Sequence, residues 1–326
     1  MIALPWLWAV FTVFGAAAQT ARNATQRELT AVLGTVGATH VRFLFGLPFA
    51  LLFLAAVTFV TGVQLPVPRA EFWPWIVTGA LAQILATALM LAAMNDRSFV
   101  VTIAYTKTEP VQTAIFGLVL LGDRLTAALA TAILIASAGV FLMSWKPGQQ
   151  SGGMRPVLLG IASGGLFGLA AVSFRGAILS LDASFVPAAT FALAVSLAIQ
   201  TALLTLYLAL RDRAVLGAIF RAWKSSLFAG LMGATASQCW FLAFALTSAA
   251  NVRTLGLVEV LFAQGVSTIL LRQAITARGA PGNRRSLRKT LGNASSPRGA
   301  EAVGSVMTPA SRAALALLYR GRTGVA

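Results

Sequence analysis

A chain of 326 residues with 58% hydrophobic and only 10% charged side chains has too little polar surface to coat a water-soluble globule, so the composition describes an integral membrane protein. The formal charge of +16 invites a nucleic-acid reading, but eight Lys/Arg lie in the tail after Arg278 and most of the others in short loops, a pattern that suits anionic lipid and argues against nucleic acid. Cys239 and His40 are single residues of their kind and no Gly-rich loop ends in Gly-Lys-Ser/Thr, which excludes a disulfide scaffold, a zinc site built from several such ligands, and an ATP-cradling loop.

Nine apolar runs follow one another: 4–21, 41–62, 72–94, 98–121, 124–145, 156–178, 185–210, 225–246 and 252–273. Each is near the roughly 20 residues that cross hydrocarbon as a helix, and none alternates as a barrel strand would. The first has no basic residue ahead of its apolar core, so it reads as an uncleaved span rather than a signal peptide. Asn23, Arg27 and Arg42, near the ends of the first two spans, are expected at the membrane interface. In the third run Gln83 and Thr87, and in the eighth Ser237, Gln238 and Trp240, lie at depths where they can face a common cavity or bind a neighbouring helix.

The fourth run carries the most unusual stretch, AYTKTEPVQTA, from residue 104. A charge at mid-membrane costs about 2.5–3.5 kcal/mol on insertion scales, so Lys107, Glu109 and, in the ninth run, Glu259 need partners or water. Lys107 and Glu109 are two residues apart, roughly 200° around a helix, and so must each look to another helix. Tyr105, Gln112 and Thr113 share a stripe with Glu109. Pro110 has no N–H to offer the carbonyl of Thr106, so the helix bends or opens there. The sixth run contains Gly160, Gly164 and Gly168 at four-residue spacing, a surface for close helix packing.

At an offset of 150 residues, TEPVQTAIFGLVLLGDRLTA from residue 108 falls against VEVLFAQGVSTILLRQAITA from residue 258, so that Glu109 meets Glu259. The expected organisation is a first repeat over 1–146 with five spans, a linker over 147–155, and a second repeat over 156–278 with four. A basic tail over 279–326 lacks the apolar content to fold alone. Five being odd, the second copy enters the membrane the other way up, the inverted-repeat plan of many secondary transporters. The tenth span is missing or replaced: residues 309–319 recover some hydrophobicity but are too short to cross. Counting basic loops, chiefly 211–225 with four Lys/Arg and one acid, puts the N-terminus outside and the tail inside.

The stretch from Ala104 through the fifth run resembles the end of an EamA domain of the drug/metabolite transporter superfamily, on Glu109-Pro110, Leu121-Gly122-Asp123 and Thr126. The second copy keeps Glu259 and Thr276 but has Val260 for the proline and Leu271-Arg272-Gln273 for the turn. The resemblance implies an all-α, ten-helix fold of two inverted five-helix repeats that moves small metabolites through a central cavity without ATP. This chain is expected to carry nine of those helices.

Two functions follow. The first is a multi-pass secondary transporter of the inner (plasma) membrane for the efflux or exchange of a small metabolite or drug-like compound. There Glu109 or Glu259 takes up a proton or binds a substrate amine, Lys107 holds a substrate carboxylate or neutralises a glutamate, and Tyr105, Gln112, Gln83, Gln238 and Trp240 line the path. The second is a non-transporting remnant or a subunit that depends on a partner chain. Homo- or hetero-oligomers, with the bilayer as a further partner, are compatible with both. No catalytic constellation, cofactor site or metal site is expected.

Overall fold

The computed structural model describes residues 6–96, 99–144 and 154–269. The expected linker up to residue 153, the end of the second repeat from residue 270, and the tail with its apolar stretch 309–319 lie outside the described residues.

Within them every element is a helix, as lipid demands of a chain that cannot leave backbone N–H and C=O groups unpaired. In chain order these are α1 (Leu7–Leu44), α2 (Leu47–Thr61), α3 (Phe72–Asp96), α4 (Phe99–Thr106), α5 (Glu109–Phe116), α6 (Ala127–Ser144), α7 (Arg155–Leu179), α8 (Phe185–Arg211), α9 (Arg213–Arg221), α10 (Trp223–Leu246), α11 (Ala249–Leu255) and α12 (Glu259–Ile269). Five stretches are long and apolar enough to cross a membrane: Leu7–Thr61, Phe72–Asn95, Arg155–Leu179, Phe185–Arg211 and Trp223–Leu246. The protein is therefore an all-α, multi-pass membrane protein.

The polar stretch between the first two apolar runs is helical. α1 runs through it and is interrupted only at Gly34, whose φ of 68° is the left-handed conformation that glycine adopts without a Cβ clash. Gln26 Nε2 donates to the carbonyl of Ala38 at 2.7 Å. In a continuous helix twelve residues would separate those groups by about 18 Å, so α1 is two arms folded back on one another at Gly34. Hydropathy leaves the polar residues between 21 and 41 outside any span, whereas they lie within the helical arms on either side of Gly34.

α1 packs along α10, and α3 along α7. The second pair interlocks through reciprocal ring-into-glycine contacts: a Cβ at Gly79 would meet the Phe174 ring at 2.6 Å, and one at Gly176 would meet the Trp75 indole at 2.6 Å. The acid of the Leu-Gly-Asp turn has a structural partner. Gly122 takes φ 67° after a π-helical turn, Gly117–Leu121, and Asp123 Oδ2 lies 3.8 Å from Arg175 Nε. Arg175 also donates to the carbonyls of Phe244 and Thr247, which the end of α10 leaves without intrahelical donors.

Candidate functional site

The fourth apolar run is broken into α4 and α5, with Lys107 and Thr108 in the turn between them and Pro110 in the first turn of α5. The ninth is broken in the same way, into α11 and α12 with a short 3-10 turn, Gly256–Val258, between them. The starts correspond at the 150-residue offset: α4 at Phe99 and α11 at Ala249, then α5 at Glu109 and α12 at Glu259. Both glutamates thus sit at a helix N-terminus, where the dipole favours a negative charge.

The two glutamates pair crosswise between these segments. Lys107 Nζ lies 2.5 Å from Glu259 Oε2, and Arg253 Nε lies 2.9 Å from Glu109 Oε1. All four side chains are at most 6% exposed. Glu259 takes two further donors from α1, Gln19 Nε2 at 2.8 Å and Asn23 Nδ2 at 2.9 Å. The orientation of both amides is set by donor-only neighbours. Trp240 Nε1 donates to Gln19 Oε1 at 3.0 Å, and Arg22 donates to Asn23 Oδ1 through Nε and Nη2, so each amide must turn its NH2 toward the carboxylate. Arg253 is stacked over the Trp240 ring at 4.7 Å and over Phe244 at 5.2 Å, in cation–π range.

α7 receives the broken segment on its glycine face. Gly160 lies against Tyr105, Gly164 against the carbonyl of Thr106, and Gly168 against Thr113, each within 2.7 Å of where a Cβ would stand. Gln112 reaches Gly165, and Thr113 Oγ1 donates to its own helix at the Glu109 carbonyl. Of the residues singled out in the sequence, Lys107, Glu109, Glu259 and Trp240 meet in one cluster. Tyr105 and Gln112 turn toward α7, and Gln238 donates to Thr190 of α8 at 2.8 Å. Gln83 accepts from Gln200 at 2.8 Å, one turn from Thr87, whose hydroxyl accepts from Arg42 Nη1 at 3.0 Å.

Asn23 and Arg42, expected at the interface, are 1% and 2% exposed, and Arg22 beside Asn23 is fully buried. Gln19, Arg22, Asn23, Arg42 and Arg253 are the members of the cluster that sequence reasoning missed. A signal was present: amides and guanidiniums spaced at 19, 22, 23 and 26 form one helical face.

Sixteen chains of solved structures match this fold. One of them, titled only "Crystal structure of protein", aligns over 82% of this chain and 92% of its own with a TM-score of 0.57 at 18% identity, a likeness of fold. A comparison with curated proteins found no match. Residues 4–145, which hold the Glu109-Pro110 break and the Leu121-Gly122-Asp123 turn, match the model of the EamA-like transporter family, so this part of the chain is similar to the EamA domains of that family.

Proposed function

We propose that the protein is a secondary, ATP-independent transporter of the inner membrane that moves a small metabolite or drug-like compound, by efflux or exchange, through alternating access around the crossed ion pairs. The observation that carries this reading is the break of two helices beside buried glutamates at equivalent positions of a 150-residue repeat. Discontinuous helices facing one another near mid-membrane are how transporters of inverted-repeat design build a substrate or ion site. On this reading the chain carries nine spans, and residues 156–278 form the second, inverted copy of the EamA unit.

The two carboxylates have different parts. Three donors hold Glu259, whereas Glu109 has one ionic partner, Arg253, among the described residues. Glu109 is thus the carboxylate that can exchange its partner, for a proton or a substrate amine, and so release Arg253 during the cycle. Comparing metabolite efflux from cells with and without the protein should reveal an exported compound, and Glu109→Gln should abolish the difference while the variant still reaches the membrane. Undiminished efflux from the variant would refute the coupling role.

Burial of Arg22 and Arg42 changes the evidence for orientation. Without Arg22, Arg42, Arg175 and Arg253, which are engaged inside the protein, the loop cations are Arg27, Arg97, Lys146, Arg155, Arg211, Arg213, Arg221 and Lys224 on one side against Arg69 and Arg124 on the other. The positive-inside rule places the side bearing α9 in the cytoplasm. A cysteine introduced at exposed Gly217 is expected to resist an impermeant maleimide in intact cells and to label once they are permeabilised. Labelling of intact cells would invert the orientation.

A further inference from the structure

Two of the buried cations have no carboxylate of their own among the described residues. Arg22, Arg42, Lys107 and Arg253 are all at most 7% exposed, and of the described side chains only Glu109 and Glu259 oppose them, an excess of two positive charges there. Among the described side chains the other acids cannot compensate: Asp123 sits against Arg175, and Glu28, Glu71, Asp182 and Asp212 are exposed.

The two excess cations lie together. Arg22 comes from the first arm of α1 and Arg42 from the second, and their aliphatic stems share one floor on α10, where a Cβ at Gly233 would meet Arg22 Cδ at 3.2 Å and Arg42 Cγ at 3.4 Å. Their heads have different partners, Asn23 for Arg22 and Thr87 for Arg42. Each keeps a buried donor without an acceptor among the described residues, Nη1 of Arg22 and Nε of Arg42. Unmatched charge in such a place is strongly unfavourable unless something of opposite sign arrives. A guanidinium fork is the side chain best shaped to take two oxygens of a carboxylate or phosphate.

We infer that Arg22 and Arg42 bind the oxyanion group of the transported compound, and that the substrate is a small organic dianion, a dicarboxylate or a phosphate monoester. The word transported rests on the function proposed above; the anion site does not. Binding of such a group neutralises the charge excess and supplies acceptors to both free donors. Lys107 and Arg253 need take no part, because each already faces a glutamate.

The test uses the purified full-length protein with four probes at matched ionic strength: succinate, glycerol 3-phosphate, alanine and choline. Thermal unfolding in detergent reads binding, and uptake of the same compounds into proteoliposomes reads transport. Succinate or glycerol 3-phosphate should raise the unfolding midpoint by about 5 °C at a hundredfold excess over Kd, and whichever of the two does so identifies the oxyanion class. R22Q and R42Q should each weaken that response at least tenfold, with R42K, which keeps charge but loses the fork, between them and the unsubstituted protein. Dianions that bind without being moved would leave the site standing and sink the transporter reading. Movement of alanine or choline without any dianion response would do the reverse. Should the glutamine variants fail to fold, the contrast between dianions and choline in the unsubstituted protein decides, and equal responses overturn the site.

Discussion

Glu259→Ala is expected to be the most damaging single substitution in the cluster, lowering stability by about 3–5 kcal/mol and the unfolding midpoint in detergent by roughly 10 °C. Lys107, Gln19 and Asn23 would lose their common acceptor at once. The charge excess would also rise from two to three, with Lys107 left buried and unopposed. Lys107→Met removes the same ion pair from the other end and should cost less, since Glu259 keeps two amide donors and the excess falls to one. A cluster held by the ion pair alone would give equal costs. Finding Lys107→Met the worse of the two would show that the excess positive charge is neutralised in the resting protein by a group outside the described residues.

Reversing the pair, K107E with E259K, is expected not to restore stability. A lysine at position 259 would face the NH2 groups of Gln19 and Asn23, and neither amide can turn. Trp240 Nε1–H needs the oxygen of Gln19, and the Arg22 guanidinium needs the oxygen of Asn23. The polarity of the site is therefore written into side chains two contacts away from the lysine.

Lys107, Glu109 and Glu259 were legible in the sequence because a charge inside an apolar run is costly and so stands out. Their pairing was half legible: the two-residue spacing ruled out Lys107 with Glu109, but no spacing could say which helix each would meet. Arg22, Asn23 and Arg42 escaped for the opposite reason. Hydropathy ends a span where polar residues begin, so a helix that carries its polar face at one end is read as a shorter helix and a loop. Gly34, the actual turn, lies between two apolar stretches that look no different from it. Arg253 was hidden in the same way, two residues into the last apolar run, although the structure seats it on Trp240 and Phe244. Gln238 took the second of the two roles open to it in the sequence, binding a neighbouring helix through Thr190 of α8.

The second large effect should come from a residue with no chemistry of its own. Pro110 deprives the Thr106 carbonyl of its helical donor, and in the folded protein that oxygen lies against Gly164, 2.6 Å from where a Cβ would stand. Gly164→Ala therefore presses a methyl group into backbone, with Thr108 Oγ1 a further 3.2 Å contact, and the α4–α5 turn must move bodily away from α7. The expected cost is about 1–3 kcal/mol, as for other overpacked sites, together with reduced transport, because the turn that moves is the one carrying Lys107. The neighbouring Gly165→Ala is the control. Its Cβ would be just as close, 2.7 Å, but to Gln112 Oε1, the far end of a flexible side chain that can swing aside. Gly168→Ala should fall between them, since it meets both the Thr113 hydroxyl at 2.7 Å and the backbone nitrogen of Thr113 at 3.2 Å. Thermal unfolding of the three variants should thus rank Gly164 below Gly168 below Gly165. If Gly165→Ala were as harmful as Gly164→Ala, the glycines would be serving general helix contact, and the proline-freed carbonyl would have no special claim on Gly164.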